Sequence, residues 1–338
     1  MASPMSLAKF VYIVLKSQFL ERIPYIQHDF SGQTIIVTGS NTGIGFEAAR
    51  QLVHHGASKV ILAVRSTSKG EVAARKLLES TKATRSQVEV WQLDLSDYNS
   101  IKAFATRVEQ LPRLDAVLQN AGMLTQKWTT IDGDEAQIRV NVLGALLLGL
   151  HVLPKLRETG KKFGVRTRLS YVGSDAHYVA QFKEANNAGS LFATLNDEKK
   201  SNMMDRYMTS KLLLFYGVRE IAARNPITPD SNVVINVMTP GACKSDIFRD
   251  SSGISGMIGV LIHDLLGRST EVGGRTLIDA IKPDINTDSH GAFLMNRKIF
   301  PNGPSVDSVK GQELEKRFNK ELCERLESIV PGVTKALN

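Results

Sequence analysis

Two residues, Tyr207 and Lys211, have the types and the spacing that acid–base chemistry requires. They stand in "RYMTSK" at positions i and i+4 of a segment with a helical pattern, so their side chains would share one face of that helix. The phenol of a free tyrosine has a pKa near 10, and its phenolate is scarce at neutral pH. A neighbouring ammonium would stabilise the phenolate and lower that pKa, which would make Tyr207 an effective acid or base. Pairs at this spacing are common by chance, so the rest of the chain decides their meaning.

A glycine-rich turn in "TIIVTGSNTGIG", residues 34–45, predicts a nucleotide site. It follows an apolar strand and precedes a helical segment, so backbone N–H groups at the start of that helix would face an anion. Gly39 permits a tight departure from the strand, and Gly43 and Gly45 leave room for a pyrophosphate and for close helix–strand packing. The spacing Gly-x-x-x-Gly-x-Gly differs from the commoner Gly-x-Gly-x-x-Gly. The turn therefore favours nucleotide binding, with a purely structural turn as the alternative.

The residue at the end of the next strand-like segment bears on which nucleotide is bound. In "LAVRSTSKG", Arg65 stands where an NAD-binding unit tends to place Asp or Glu, whose carboxylate accepts hydrogen bonds from the ribose 2′-hydroxyl. A guanidinium suits a 2′-phosphate, which a carboxylate would repel. We therefore expect NADP(H) rather than NAD(H). The alternatives are that Arg65 is only an exposed strand-end charge, or that Lys69 meets the phosphate.

The elements that must position these residues alternate between strand and helix along the chain. Apolar, β-branched runs predict strands, and the longer amphipathic runs between them predict helices. Such alternation is typical of βαβ units with a parallel sheet covered on both faces. We therefore predict an α/β fold with a doubly wound parallel sheet of the Rossmann type in a single main domain. The predicted strands are Thr34–Thr38, Lys59–Val64, Val88–Leu93, Ala116–Gln119, Arg168–Val172 and Val233–Met238, and the predicted helices are Phe46–His55, Lys69–Glu79, Asn141–Leu156 and Tyr207–Arg224.

The composition argues against several classes of protein. The 338 residues are 42% hydrophobic, enough for a sizeable core, and carry a net charge of +8. The Lys and Arg residues are dispersed and are not interleaved with stacking aromatics, so we expect a solvated surface with no nucleic-acid partner. Cys243 and Cys323 lie 80 residues apart and indicate neither a disulfide framework nor a metal site. They suit a reducing compartment, and we expect the protein in the cytoplasm.

The ends of the chain and one irregular segment complete the predicted organisation. Residues 1–30 contain an apolar run that Lys16 interrupts after six residues, which is too short to span a bilayer. We expect there a helix that docks on the body, with a helix lying on an intracellular membrane surface as the alternative. The main domain is predicted over 31–300, followed by a helical extension over 301–338. The Gly- and Ser-containing segment 250–268 fits either a lid over the substrate or an ordinary core helix.

Seven short motifs stand in one order along the chain, and together they resemble the short-chain dehydrogenase/reductase family over residues 30–300, approximately. They are "TGSNTGIG", "LDL", "NAG", "VNVLG", "YVGS", "YMTSK" and "PG". Within the family, "AVR", "SDAH" and "RYMTSK" resemble the retinol-dehydrogenase-like branch, while "VEVWQLDL", "LPRLDAVLQNAG" and "PKLRETGKKFGV" resemble fungal members associated with secondary metabolism. Ser174 and Tyr207 lie 33 residues apart, farther than in many members. Residues 175–206 are therefore a predicted insertion that walls the substrate site.

The resemblance implies a role for each residue of a catalytic set. Tyr207 would donate a proton in carbonyl reduction or accept one in alcohol oxidation, and Lys211 would tune Tyr207 and bind the nicotinamide ribose. Ser174 would hold the substrate oxygen, and Asn141 would complete a proton relay through water to Lys211. His177, in the insertion, is expected to be a structural hydrogen-bonding residue, with substrate contact as the alternative.

The resemblance also implies where the cofactor is held. Asp94 and Leu95 would flank the adenine, Asn120–Gly122 would lie beside the ribose, and the loop that begins at Pro240 would line the nicotinamide. No metal is implied. The implied cofactor-binding residues are Gly39, Ser40, Asn41, Thr42, Gly43, Ile44, Gly45, Arg65, Asp94, Leu95, Asn120, Ala121, Gly122, Tyr207, Lys211, Pro240, Gly241 and Ser245.

The chain is therefore predicted to be an NADP(H)-dependent oxidoreductase that reduces a ketone or aldehyde of a hydrophobic small molecule. The alternatives are a non-redox epimerase or cyclase that uses the same site, and a catalytically silent NADP(H)-binding sensor or scaffold. The resemblance further implies a homodimer through the helices around residues 100–110 and 137–159.

Overall fold

The computed structural model of the chain describes residues 7–244 and 267–337, and its centre is a sheet of eight strands. A separate two-stranded ribbon, Thr130–Ile131 paired with Asp134–Glu135, stands outside this sheet. In chain order the strands are β1 Thr34–Thr38, β2 Lys59–Val64, β3 Val88–Gln92, β4 Ala116–Gln119, β5 Thr130–Ile131, β6 Asp134–Glu135, β7 Thr167–Val172, β8 Val233–Thr239, β9 Phe293–Met295 and β10 Lys298–Phe300. The order across the sheet is β3-β2-β1-β4-β7-β8-β9-β10, and every pair is parallel except β9 with β10. The predicted doubly wound parallel sheet is confirmed.

The helices cover both faces of this sheet. They are α1 Leu7–Leu20, α2 Gly43–His54, α3 Thr67–Thr81, α4 Tyr98–Glu109, α5 Ala145–Phe163, α6 Leu191–Leu195, α7 Arg206–Arg224, α8 Thr270–Asp279, α9 Pro304–Asp307 and α10 Val309–Ile329. Side chains from α2, α3 and α8 form one buried cluster with the sheet, and side chains from α4, α5, α7 and α10 form the other. The central strands are therefore buried on both sides, which is why they are apolar runs rather than alternating ones.

Strand β1 illustrates how the two layers share the sheet. Ile35 and Val37 belong to the α2–α3–α8 cluster, whereas Ile36, between them, belongs to the other. All three side chains are fully buried. Because successive side chains point to opposite faces, a single run of apolar residues closes both layers, and the loops after the parallel strands gather at one edge of the sheet.

The C-terminal part of the chain packs on the layer that contains α5 and α7. Phe318 and Leu322, four positions apart on one face of α10, are buried. Arg325 in the same helix forms an ion pair with Asp134, a fully buried carboxylate in β6, with Nη2 3.0 Å from Oδ1. Farther on, Leu337 is buried in the cluster that contains α5. The boundaries proposed at residues 30 and 300 remain predictions.

One helical stretch of the described chain, Ile138–Phe163, is long and apolar enough to cross a membrane when judged by length and composition alone. Of its most apolar window, 83% is buried inside the protein. This burial against the sheet identifies it as a core helix of the fold.

Candidate active site

The glycine turn brings the end of β1 and the start of α2 into close contact with the chain after β4. Gly39 and Gly43 have φ of +62° and +61°, in the left-handed region that favours glycine. A Cβ on Gly45 would lie 2.4 Å from Nδ2 of Asn120 and 2.6 Å from the carbonyl oxygen of Gly39. Asn120 Nδ2 donates to the carbonyls of Thr38 and Gly39, at 3.0 and 3.1 Å. Close packing therefore requires glycine at positions 39 and 45, as the sequence predicts.

Within the described part of the chain, the first turn of α2 has no side-chain cap. Thr42 is the N-cap residue, yet its side chain accepts no hydrogen bond from the helix. In contrast, Ser66 and Asp97 cap α3 and α4 with their side-chain oxygens. The backbone N–H groups at the start of α2 thus lack the internal acceptor that the neighbouring helices have, and they suit a bound phosphate oxygen.

The residues that follow β2 and β3 occupy the same edge of the sheet. Arg65 is exposed directly after β2, and the described part of the chain offers it no hydrogen-bond or ion-pair partner. Asp94 is half-buried after β3, and its Oδ1 accepts from the backbone N–H and the hydroxyl of Ser96, at 2.9 and 2.7 Å. Leu95 is buried, and its carbonyl oxygen lies where a Cβ on Gly144 would clash, at 2.2 Å. An adenine ring or a ribose bound at this edge of the sheet would therefore meet a fixed surface.

The segment after β4 links the turn to the predicted catalytic residues. The N–H of Ala121 donates to Oγ1 of Thr38 at 2.9 Å, which ties the ends of β1 and β4 together. A Cβ on Gly122 would lie 3.1 Å from Oδ1 of Asn141 and 3.6 Å from Nζ of Lys211. Gly122 therefore leaves open the space beside Asn141 and Lys211.

Asn141 lies in a π-helical segment, Ile138–Gly144, that leads into α5. Its Oδ1 accepts from the N–H of Met123 at 2.8 Å, and its Nδ2 donates to the Met123 carbonyl at 2.8 Å and to Oγ of Ser210 at 3.1 Å. These bonds hold α5 beside the residue that precedes Lys211 in α7. Single π turns inside helices are frequent at functional sites, and here the turn sets the position of Asn141.

Lys211 is buried beneath the predicted site. Its side chain is 5% exposed, and its Nζ donates to the carbonyl of Val172, at the end of β7, at 2.8 Å. Burial lowers the pKa of the ammonium to about 8. Nζ lies 5.7 Å from the ring centroid of Tyr207. Lys211 thus connects the helix that carries Tyr207 to the strand that precedes Ser174.

The acidity of Tyr207 differs from the sequence expectation. Burial raises its pKa to about 12; hydrogen bonding with the side chain of Ser174 opposes that rise, and the charge of Asp175 adds to it. The expected net lowering of the Tyr207 pKa is therefore wrong. The physical reason is that desolvation disfavours the phenolate and the ammonium alike, and the spacing of two residues in a sequence does not reveal their burial.

Ser174 is held from both sides. Its Oγ accepts from the N–H of Ala176 at 3.1 Å, and its carbonyl lies 2.7 Å from Nδ1 of His177. Burial lowers the pKa of His177 to about 4, so the ring is neutral at pH 7 and donates Nδ1–H to that carbonyl. His177 is 1% exposed and packs against the rings of Tyr178 and Phe293. The expected structural role of His177 is confirmed.

The loop after β8 is held by residues that the sequence did not reveal. Gly241 has φ of +73°, and the carbonyl of Pro240 accepts from Nη1 of Arg268 at 3.3 Å. Arg268 also donates to the hydroxyl of Ser17 in α1, at 3.2 Å from Nη2. Pro240 and Gly241 thus lie at the predicted edge, whereas Ser245 and the predicted lid, except for residues 267 and 268, lie outside the described residues.

Asp175 is a second residue of the site that sequence reasoning missed. Its carboxylate lies beside the predicted catalytic serine, with Oδ1 3.4 Å from Oγ of Ser174. Burial raises the pKa of this carboxyl group, while the charge of Arg268 opposes the rise. The only sequence signal was its place directly after the serine, in "SDAH".

Comparisons with known proteins agree with this geometry. A family model described as short chain dehydrogenase matches residues 33–165. The short chain dehydrogenase/reductase dmxR8 of Cryptosporiopsis sp. (strain 8999) is 40% identical over 324 residues, which cover 95% of this chain and 98% of that protein. The short-chain dehydrogenase anuD of Penicillium roqueforti (strain FM164) is 38% identical over 334 residues, covering 97% and 85%. Both relatives come from fungi, in agreement with the narrower resemblance, while the retinol-dehydrogenase-like branch remains a prediction.

A solved structure from Shigella flexneri 2a, described as a short chain dehydrogenase complexed with NADP, has a TM-score of 0.55. It is 19% identical, and the match covers 81% of this chain and 100% of that one. At this identity the likeness shows the fold, and the fungal relatives show the family. The chain therefore belongs to the short-chain dehydrogenase/reductase family and is an NAD(P)-dependent oxidoreductase.

Proposed function

We propose that the protein is an NADPH-dependent carbonyl reductase that converts a ketone or aldehyde of a hydrophobic molecule into an alcohol. One observation carries the proposal: Ser174, Tyr207 and Lys211 converge at the edge of the sheet that bears the glycine turn. The 2.8 Å bond from Lys211 Nζ to the Val172 carbonyl ties α7 to the strand that precedes Ser174. This arrangement places an acid, a hydrogen-bonding hydroxyl and a cation around one point.

The residues of the turn fit a nicotinamide nucleotide. The uncapped start of α2 suits a pyrophosphate, and Gly39 and Gly45 let the backbone come close to it. Arg65 is exposed and suits a 2′-phosphate, which supports NADP(H) over NAD(H). The structural relative from Shigella flexneri holds NADP. When bound, the nucleotide supplies the hydride that reduces the carbonyl carbon.

Tyr207 supplies the proton in this proposal. Ser174 Oγ holds the substrate oxygen, and Tyr207 donates its proton to that oxygen as negative charge develops there. A pKa of about 12 keeps the phenol protonated at neutral pH. An alkoxide is a stronger base than a phenolate, so this transfer is still downhill. The reverse reaction, alcohol oxidation, would need the phenolate, which is scarce at this pKa.

Lys211 and Asn141 support the proton donor in this scheme. With a pKa of about 8, most of the Lys211 ammonium is still charged at pH 7, and it stabilises the phenolate that forms on Tyr207. The side chain of Asn141 has hydrogen-bond partners in Met123 and Ser210. Its proposed contribution to a relay is therefore to orient the segment beside Lys211.

A hydrophobic substrate is proposed because apolar side chains are exposed within a few residues of Ser174 and Tyr207 in the sequence. Met204 is 65% exposed three residues before Tyr207, and Val179 is 36% exposed five residues after Ser174. Both belong to the predicted insertion. A bulky apolar molecule would cover them, and water would be excluded from the reacting carbonyl.

The direct test is NADPH oxidation with a panel of hydrophobic ketones and aldehydes. Tyr207→Phe should lower kcat at least about a hundredfold, because it removes the general acid. Tyr216→Phe is the matched control, since Tyr216 is a buried tyrosine of the same helix whose hydroxyl contacts Ser305. A Tyr207→Phe variant as active as the wild type would refute the mechanism. A product formed without net NADPH consumption would instead support the non-redox alternative.

The cofactor proposal has a separate test, in which dissociation constants for NADPH and NADH are compared. Arg65→Asp should weaken NADPH binding at least about tenfold and favour NADH, because it exchanges an attractive charge for a repulsive one. Arg75→Asp is the control, since Arg75 is an exposed arginine of α3, the helix that follows. An unchanged ratio for Arg65→Asp would assign the 2′-phosphate to another cation, Lys69 first.

The proposed location is the cytoplasm, supported by the sparse cysteines, and the proposed homodimer rests on the resemblance alone. Residues 333–337 already pack on α5, where the Ala336 carbonyl accepts from Nη2 of Arg157 at 2.9 Å. A dimer through α4 and α5 would therefore have to use the parts of these helices that residues 333–337 leave uncovered. Light scattering of the purified protein tests this proposal.

A further inference from the structure

The N-terminal helix α1 has two unlike faces. On the inner face, Ser17 is 5% exposed, and Ile13 and Val14 pack against the main hydrophobic cluster. On the outer face, Tyr12, Leu15 and Phe19 are 63%, 53% and 51% exposed. The helix is docked on the body along one side and leaves large apolar side chains in water along the other.

The outer residues form a continuous stripe, which we call the α1 stripe and define as Tyr12, Leu15 and Phe19. Their spacing of i, i+3 and i+7 puts them on one side of the helix. Leu20, Tyr25 and Ile26 extend the apolar surface beyond it. Half of the twelve large hydrophobic side chains exposed in the described chain thus lie within fifteen consecutive residues. Scattered exposed apolar residues need no explanation, but a patch of this kind marks a contact surface.

Positive charge borders the stripe. Lys16 and Arg22 are exposed, and the whole chain carries a net charge of +8. Glu21, which lies between these two cations in the sequence, accepts a hydrogen bond from Nδ2 of Asn296 at 2.6 Å and is therefore tied to the body. An apolar face with flanking cations fits the boundary of an anionic bilayer, where rings and aliphatic chains enter the lipid and ammonium groups meet the headgroups.

We infer that α1 binds the surface of an anionic membrane through the α1 stripe. A second copy of this chain is the competing occupant, because it would also cover apolar side chains. Two copies joined here would bring Lys16 and Arg22 of each close to those of the other, on chains that both carry a net charge of +8. An anionic lipid surface has the complementary charge, and it is the occupant that the helix fits.

The inner face of α1 connects this surface to the active site. Nε2 of Gln18 donates to the carbonyl of Ala242 at 3.0 Å, and Ser17 accepts from Arg268, which holds Pro240. The helix also touches the turn that begins at Asp175. A helix is about 10 Å thick, so the lipid surface would lie about that far from the loop after β8. On the proposed function, an apolar carbonyl compound dissolved in the membrane would reach this site without crossing water.

Flotation with vesicles tests the membrane surface without substrate or cofactor. The wild-type chain should rise with vesicles of phosphatidylcholine mixed with phosphatidylserine, and much less with phosphatidylcholine alone. The double variant Leu15→Ser/Phe19→Ser should lose at least about tenfold in partition coefficient, because each substitution removes apolar area from the contact. The control is Val72→Ser/Ile299→Ser, at residues 43% and 50% exposed elsewhere. It should float like the wild type.

Two results would overturn the inference. One is a wild-type chain that stays at the bottom of the gradient with anionic vesicles, and the other is a control variant that loses as much binding as the stripe variant. A concentration-dependent dimer that the stripe variant abolishes, without any flotation, would assign the stripe to a second copy instead. Thermal unfolding of each variant shows that the fold is intact. Because no turnover is measured, failure here is distinct from failure of the proposed reductase.

Discussion

Replacing Lys211 by methionine should stabilise the protein without nucleotide while abolishing its reaction. Lys211 is 5% exposed, and its ammonium donates a hydrogen bond to the Val172 carbonyl. Burial lowers its pKa from 10.5 to about 8. Since one pKa unit corresponds to about 1.4 kcal/mol, keeping this group charged costs the fold about 3 kcal/mol. Methionine has a similar length and carries no charge, so it removes that cost.

The gain is smaller than the full electrostatic cost. In the variant the carbonyl of Val172 loses its donor, which costs about 1 to 2 kcal/mol for a buried acceptor. We therefore expect the free energy of unfolding of Lys211→Met to exceed that of the wild type by about 1 to 2 kcal/mol at pH 7.

The pH dependence has a defined sign. Lys211 loses its proton near pH 8 when folded and near pH 10.5 when unfolded, so between these values the unfolded chain binds the extra proton. Below about pH 8, the charged Lys211 therefore lowers the free energy of unfolding by its full amount. This loss disappears as the pH rises towards 10.5. The advantage of Lys211→Met should shrink across this window and vanish or reverse at its upper end.

Urea unfolding followed by tryptophan fluorescence, without nucleotide, at several pH values from 7 upwards measures this difference. Lys155→Met is the matched control, because Lys155 is also buried, at 7% exposure, but its ammonium has a carboxylate partner in Glu158 at 2.8 Å. It should give no stabilisation. A Lys211→Met variant less stable than the wild type at pH 7 would refute the reasoning. A Lys155→Met variant that is stabilised as much as Lys211→Met would refute it too.

Two further predictions concern the same edge of the sheet. Asp175→Asn removes a negative charge that raises the pKa of Tyr207, so the tyrosinate signal of Tyr207 should appear at lower pH. Ultraviolet absorbance titration, with each protein compared with its own Tyr207→Phe version, measures this shift, and an unmoved titration would contradict the electrostatic coupling. Gly45→Ala puts a Cβ 2.4 Å from Nδ2 of Asn120, so the turn must move and NADPH affinity should fall at least about tenfold. Calorimetric binding that matches the wild type would show that the turn tolerates the methyl group.

The sheet could be predicted almost residue by residue, because its strands are buried on both faces. Three strands have the predicted bounds, because each is an apolar run that stops at a polar or glycine residue. They are Thr34–Thr38, Lys59–Val64 and Ala116–Gln119. The short strands β9 and β10, which end the sheet on one side, were missed. With three residues each, they carry too little pattern to be distinguished from a loop.

The site was predictable where a motif names both residue and place, and less so where distant segments meet. The glycine turn and the convergence of Ser174, Tyr207 and Lys211 follow from ordered motifs. Arg268, which contacts the loop after β8, also bonds to Ser17, 251 residues earlier in the chain, and no local pattern signals that contact. The raised pKa of Tyr207 likewise depends on burial, which spacing alone does not reveal.

The way the C-terminal part of the chain is attached to the fold has a consequence for synthesis. Asp134 is fully buried, and one of its partners, Arg325, lies 191 residues farther along the chain. As a nascent chain emerges from the ribosome, the Asp134 carboxylate would lack Arg325 until α10 has also emerged. Such long-range closure slows folding, and an interrupted chain would expose the apolar surface of α5 that residues 333–337 cover. Truncated copies should therefore be cleared by proteolysis or aggregate rather than persist as smaller enzymes.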